Sequence, residues 1–175
     1  MVLNHFLNEI QHVLTASHCF LVNRYESPQS KAKVLKIYAG DVIKRGPDSK
    51  LLEAEAVYLH PKFTYNGGVN SYDDIAIVKL KRPIQIGPKI RPVCLGNVDF
   101  KANEDGLIQG FGLVNQMRRN RSSLILSNKL SEAELKIQTD EQCKQIYDNM
   151  YTPDHICAYG GIGGTIGGWW VAFSV

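Results

Sequence analysis

The sequence predicts an all-β protein of the barrel or sandwich class, and three observations carry that expectation. Short β-rich runs recur along the 175 residues, separated by clusters of Gly, Pro, Asn and Ser. The runs alternate in polarity or are continuously apolar over five or six residues, which is strand rather than helix spacing. Only one segment places apolar residues three and four apart behind a capping residue.

In chain order, Val13-Leu14-Thr15 ends a strand, and the small Ala16 and Ser17 let the chain turn tightly beneath His18. A turn at Glu26-Ser27-Pro28 precedes a β-rich run from Lys33 to Tyr38, which closes at Gly40-Asp41. After the Arg45-Gly46-Pro47 turn, Ala54 to Leu59 reads as a strand stopped by His60-Pro61. Asn66-Gly67-Gly68 leads to Ile75-Ala76-Ile77-Val78-Lys79-Leu80, a nearly continuous apolar run that reads as a buried strand. Ile86-Gly87-Pro88 is the next turn, and Glu134 to Gln138 alternates with period two. The single helix begins at Thr139, whose hydroxyl and Gln142 form a capping box. Cys143, Ile146 and Tyr147 share a face, and the pattern stops near Asp148-Asn149, before Pro153. From Gly160 to Gly168 the chain is dominated by glycine, with too few side chains to pack.

Composition narrows the function classes. With 44% hydrophobic and 21% charged residues, the chain is neither disordered nor collagen-like. No run of about 18 apolar residues exists, so no membrane span is expected. Twenty Lys and Arg against 17 Asp and Glu leave a formal charge of +3, too small to imply a nucleic-acid partner. The one basic cluster, Arg118-Arg119-Asn120-Arg121, reads as a solvated loop. Residues 1–9 lack the basic lead and apolar stretch of a signal peptide. Four widely spaced cysteines, Cys19, Cys94, Cys143 and Cys157, allow three pairings and favour an oxidising compartment. No C-x-x-C occurs, His155-Ile156-Cys157 has no second ligand pair, and Glu53 and Glu55 read as solvent-facing strand positions. No metal and no cofactor is expected.

The chemistry lies in two motifs. His18 follows a strand, and taken alone it reads as a surface or core histidine. Asp74 stands at the mouth of the apolar strand, and taken alone it reads as a turn aspartate. Together they have complementary needs. A buried carboxylate requires a hydrogen-bond partner, and a neutral imidazole supplies its Nδ1–H. The other ring nitrogen then takes a proton from a nucleophile.

These residues resemble the trypsin/chymotrypsin family of serine proteases. Leu14-Thr15-Ala16-Ser17-His18-Cys19 is similar to the family's histidine motif, and Asp74-Ile75-Ala76-Ile77-Val78-Lys79-Leu80 to its aspartate motif. Arg91-Pro92-Val93-Cys94-Leu95 resembles the connection between its two barrels, and Gly110-Phe111-Gly112 its Gly-Trp-Gly turn. Cys143 to Cys157 resembles its disulfide-closed loop, so the resemblance spans about residues 6 to 160. It implies a trypsin-like two-barrel fold: residues 1–95 form a nearly complete first barrel and residues 96–175 an incomplete second one. It implies that His18 is general base and then acid, that Asp74 rather than Asp73 orients it, and that polypeptides are the substrates or ligands. An extracellular location follows from the same resemblance. One disulfide, Cys143–Cys157, is implied, with Cys19 and Cys94 unpaired: Leu3 stands where the partner of Cys19 falls.

Departures from the family pattern shape the expected activity. Where the family has Gly-Asp-Ser-Gly-Gly, this chain reads Gly164-Thr165-Ile166-Gly167-Gly168, and Ile166 has no atom that attacks a carbonyl. Thr165 is one residue out of place and Ser174 lies in a hydrophobic tail, so neither is assigned as nucleophile. The family's later strands and its N-terminal Ile-Val-Gly-Gly segment have no counterpart here, and with that segment goes the ion pair that shapes the oxyanion hole. The expectation is a serine-type endopeptidase domain that is inactive as written, an incomplete product of a protease gene. The alternative is a non-catalytic homologue acting as a protein-binding module.

Overall fold

A computed structural model describes residues 2–4, 9–20, 31–64, 73–93, 95, 100–118, 121–147 and 156–159. The described chain is mostly β and forms two compact units, one of residues 1–41 and 45–96, the other of residues 42–44 and 97–175.

The first unit is an antiparallel sheet of five strands: β1 (Val2–Asn4), β2 (Glu9–Thr15), β3 (Lys36–Ala39), β4 (Lys50–Leu59) and β5 (Ala76–Gln85). Their order is β1-β2-β5-β4-β3, so β5 is central, flanked by β2 and β4. Register shifts lie between Leu3 and Asn4, between Ile10 and His12, and between Ala54 and Ala56. Such bulges add local twist, which curls the sheet into half a barrel over one apolar face. That face buries Ala54 and Val57 of β4 and Ala76 and Val78 of β5, with Phe20 and Ala32 packed against them. Ile10, Leu80, Ile84 and Ile90 form the adjoining cluster.

Three strand expectations change in this unit. The apolar run from Ile75 to Leu80 is not buried throughout. Ala76, Val78 and Leu80 are buried while Ile75 and Ile77 are exposed, because the sheet has a core on one side only. The run from Lys33 to Tyr38 enters its strand only at Lys36. Lys31 O accepts from both Val34 N and Leu35 N, so a turn occupies the residues before it. β5 also continues past Pro83. Its pairing with β4 runs from Ala76 to Leu80, and Pro83 falls between Lys79 and Ile84, the residues opposite His12 and Ile10 in a shifted register. A proline is tolerated where no ladder bond is required of its nitrogen.

The second unit contains β6 (Asp105–Gly110), a hairpin of β7 (Leu113–Arg118) and β8 (Arg121–Leu126), β9 (Ser131–Ile137), helix α1 (Asp140–Tyr147) and β10 (Ala158–Tyr159). One sheet has the order β10-β9-β6. Of the basic cluster expected in a loop, Arg118 and Arg121 are paired strand residues at the end of the hairpin, while Arg119 and Asn120 lie outside the described residues. The flanking segments, residues 113–118 and 121–126, alternate too weakly for the pattern to have announced strands.

The helix starts as its sequence dictates. Thr139 N donates to Gln142 Oε1 at 3.0 Å, and Gln142 N donates to Thr139 Oγ1 at 3.2 Å. This reciprocal cap satisfies donors that the first turn leaves open. Cys143 is fully buried and bridged to Cys157, across a sequence separation of 14. The bridge and the bond from Gln138 N to Cys157 O (2.9 Å) fix the return of the chain onto β9. Closing a loop of this size removes about 3 kcal/mol of chain entropy from the unfolded state. Cys19 is a free, exposed thiol, whereas Cys94 lies outside the described residues.

Candidate active site

Strand pairing alone brings the two chemical motifs together. β2 and β5 are antiparallel neighbours with Thr15 opposite Ala76. Residues just after Thr15 therefore face residues just before Ala76. The chain leaves β2 through a 3₁₀ turn, Ser17–Phe20. Ser17 is fully buried, and its Oγ donates to Ile75 O at 2.6 Å. This bond draws the end of β2 onto the start of β5.

On that base, both Asp74 carboxylate oxygens are taken by one residue. Oδ1 accepts from the His18 backbone N at 2.8 Å, and Oδ2 meets His18 Nδ1 at 2.5 Å. The imidazole is 30% exposed and the carboxylate 25%, so solvent screens the pair only partly. Opposite an ionised carboxylate, which only accepts, a neutral imidazole places its proton on Nδ1. The backbone bond fixes where the ring begins, and the ring bond fixes its rotation.

The neighbouring carboxylate has a different environment. Asp73 adopts the left-handed region at φ 51°, uncommon for a residue with a side chain. Its carbonyl accepts from Ile75 N at 2.8 Å, closing a three-residue turn centred on Asp74. Its side chain faces His60, with Oδ1 at 3.5 Å from His60 Nδ1. His60 N donates to Ile75 O at 3.0 Å, so that carbonyl accepts from both His60 and Ser17. Sequence reasoning used His60-Pro61 as a strand stop and Ser17 as a small turn residue. The signals available were a hydroxyl before the histidine and the Asp73-Asp74 doublet.

Cys19, next to His18, has its thiol pushed up from the ordinary value, first by desolvation and second by the Asp74 charge. Glu55 and Glu53 are exposed on β4 and form ion pairs with Lys79 (2.9 Å) and Lys81 (3.0 Å). Among the described residues no cluster of three His, Cys, Asp or Glu is arranged to hold a metal. Thr165, Ile166 and Ser174 lie outside the described residues, and residue 166 is Ile in the sequence.

A half-barrel of antiparallel strands with an imidazole and a carboxylate joined at neighbouring strand ends belongs to the class of serine-protease scaffolds. The chain is a member of the trypsin family: the family model described as Trypsin matches residues 5–167. It is 28% identical over 155 residues to vitamin K-dependent protein C of Rattus norvegicus, covering 83% of this chain and 30% of that protein. It is 31% identical over 163 residues to complement C1s subcomponent of Rattus norvegicus, covering 83% of this chain and 22% of that protein. The chain thus spans less than a third of the length of either relative. Among solved structures it is similar to neuropsin, a serine protease expressed in the limbic system of mouse brain. That likeness has a TM-score of 0.67 at 22% identity and covers 87% of this chain and 63% of that one. The fold is the trypsin-like serine protease fold that the sequence motifs implied.

Proposed function

We propose that this chain is a serine-type endopeptidase domain that carries the proton-handling half of the machinery and, in the sequence given, no nucleophile. The observation that carries this reading is the double engagement of Asp74 by His18, set beside Ile166 in the family's nucleophile motif. In a complete site the His18 Nε2 takes the proton of an attacking hydroxyl and then delivers it to the leaving amine, while Asp74 stabilises the imidazolium. An isoleucine cannot replace the hydroxyl, since catalysis needs a lone pair at the attacking atom. The substrates of the lineage are polypeptides, and an oxidising, extracellular setting is supported by the Cys143–Cys157 bridge.

The second reading is a non-catalytic protein-binding module. It is favoured by the same substitution at residue 166, which removes chemistry and leaves a protein-recognising scaffold. A fluorophosphonate probe tests the first reading. The purified chain stays unlabelled and does not turn over ester substrates; covalent labelling refutes the inert assignment. In the wild-type chain, proton NMR shows a downfield, hydrogen-bonded His18 Nδ1–H resonance that disappears in Asp74→Asn. Its absence from the wild type refutes the pairing role.

A further inference from the structure

We infer that His60 and Asp73 form a second imidazole–carboxylate pair, a positioning pair that holds the Asp73–Ile75 turn so that Asp74 is aimed at His18. The inference rests on the reading of His18 and Asp74 as the proton-handling pair.

Three observations converge on it. First, Asp73 holds a left-handed backbone, φ 51°, which an aspartate tolerates better than most residues with a Cβ but less freely than glycine. Asp73 leads directly into the turn closed by the Asp73 O to Ile75 N bond, with Asp74 at the apex. The φ of Asp73 sets how that turn, and Asp74 with it, is directed relative to the chain before it. Second, His60 Nδ1 is a buried polar atom with no hydrogen-bond partner at ordinary distance. Buried polar groups are nearly always paired, so an orphan marks a group held for another reason. The carboxylate atom across from it is Asp73 Oδ1, 3.5 Å away. A proton on Nδ1 turns this approach into an attraction between a donor and an anion, and tethers the Asp73 side chain. Third, the tether has a rigid base. The His60 amide is bonded to Ile75 O, the carbonyl that Ser17 Oγ also holds, so the histidine is anchored to the far end of the turn that its ring restrains.

The two pairs thus sit back to back on consecutive residues. Asp74 faces the end of β2 through His18, and Asp73 faces the end of β4 through His60. His60 acts on the chemistry only through the backbone of residues 73–75, which makes it a positioning residue and not a catalytic one.

The test uses the full-length chain and the His18 Nδ1–H resonance as readout. His60→Ala abolishes or strongly weakens that resonance while far-UV circular dichroism and cooperative melting remain. Asp73→Gly, introduced into the His60→Ala chain, restores it, because glycine adopts the positive φ without a tether. His60→Asn retains it, since the amide nitrogen stands close to the place of Nδ1. A His60→Ala chain that is folded and keeps the full resonance overturns the inference. So does a double variant with Asp73→Gly that stays folded without regaining the signal. If the wild type itself lacks the resonance, the parent reading of His18 and Asp74 fails, an outcome separate from either of these.

Discussion

Removing the Asp74 carboxylate gives the sharpest energetic test of the site. In Asp74→Ala two charge-assisted bonds are lost, one to the His18 amide at 2.8 Å and one to its ring at 2.5 Å. Hydrogen bonds to charged groups contribute about 1.5–3 kcal/mol each when well shielded. Here the two side chains are 25% and 30% exposed, so water re-satisfies part of what is lost. Halving the sum for that screening leaves a destabilisation of about 1.5–3 kcal/mol. Asp74→Asn keeps an oxygen for the His18 amide but presents an NH₂ to the ring, so it costs about half as much. Urea denaturation measures both, provided the slope against denaturant is unchanged. A cycle with His18→Ala isolates the pair, and its coupling energy is about 1 kcal/mol or more. A coupling near zero, or equal losses for Ala and Asn, refutes the double engagement of the carboxylate.

Three further expectations follow from the same coordinates. Reducing the Cys143–Cys157 bridge lowers stability by about 3 kcal/mol, seen as a fall in the denaturant midpoint on adding a phosphine reductant; no fall refutes it. Leu80→Ala, at a fully buried site on β5, costs about 2–5 kcal/mol in thermal or urea melts. Ile77→Ala, on the exposed face of the same strand, costs less than about 1 kcal/mol, and the reverse ranking refutes the assigned faces. For Cys19 the folded thiol has a raised pKa, so the fold favours its protonated form. Its contribution to stability is fully present below the ordinary thiol value and is lost as pH rises through the folded value. Alkylation of Cys19, taken as the difference between the wild type and Cys19→Ser, therefore has its midpoint at higher pH than a free thiol. A midpoint at or below that of the free thiol refutes the raised value.

How much was legible in the sequence depended on whether a local rule or a long-range contact decided the outcome. The capping box at Thr139 and Gln142 is a four-residue event, and it forms as the sequence dictates. The alternation at the end of β9 is equally local. In contrast, the polarity of β5 misled, because Ile75 and Ile77 are as apolar as Val78 and only the curl of the sheet decides which side meets the core. β6 carries two glycines and β7 and β8 carry polar residues, and all three become strands through their partners, which no window of sequence displays. At the site, the motifs around His18 and Asp74 were legible as chemistry because they occur in a known order. Ser17, His60 and Asp73 were not, because what distinguishes them is a pair of bonds to one carbonyl and a sign of φ.

The bonds that aim Asp74 at His18 also settle what the pair can be taken to mean. Ser17, His18, His60, Asp73, Asp74 and Ile75 all belong to the first compact unit. Every distance that defines the arrangement is set there, by the pairing of β2 with β5 and by the turn from β4. The imidazole–carboxylate geometry is thus a property of the folded sheet, tying two strand ends. Its presence accords with membership in the trypsin family, and on the reading proposed above catalysis turns on residue 166. For that reason the spectroscopic signature of His18 and the labelling by a fluorophosphonate are independent measurements, and the chain is expected to give the first without the second.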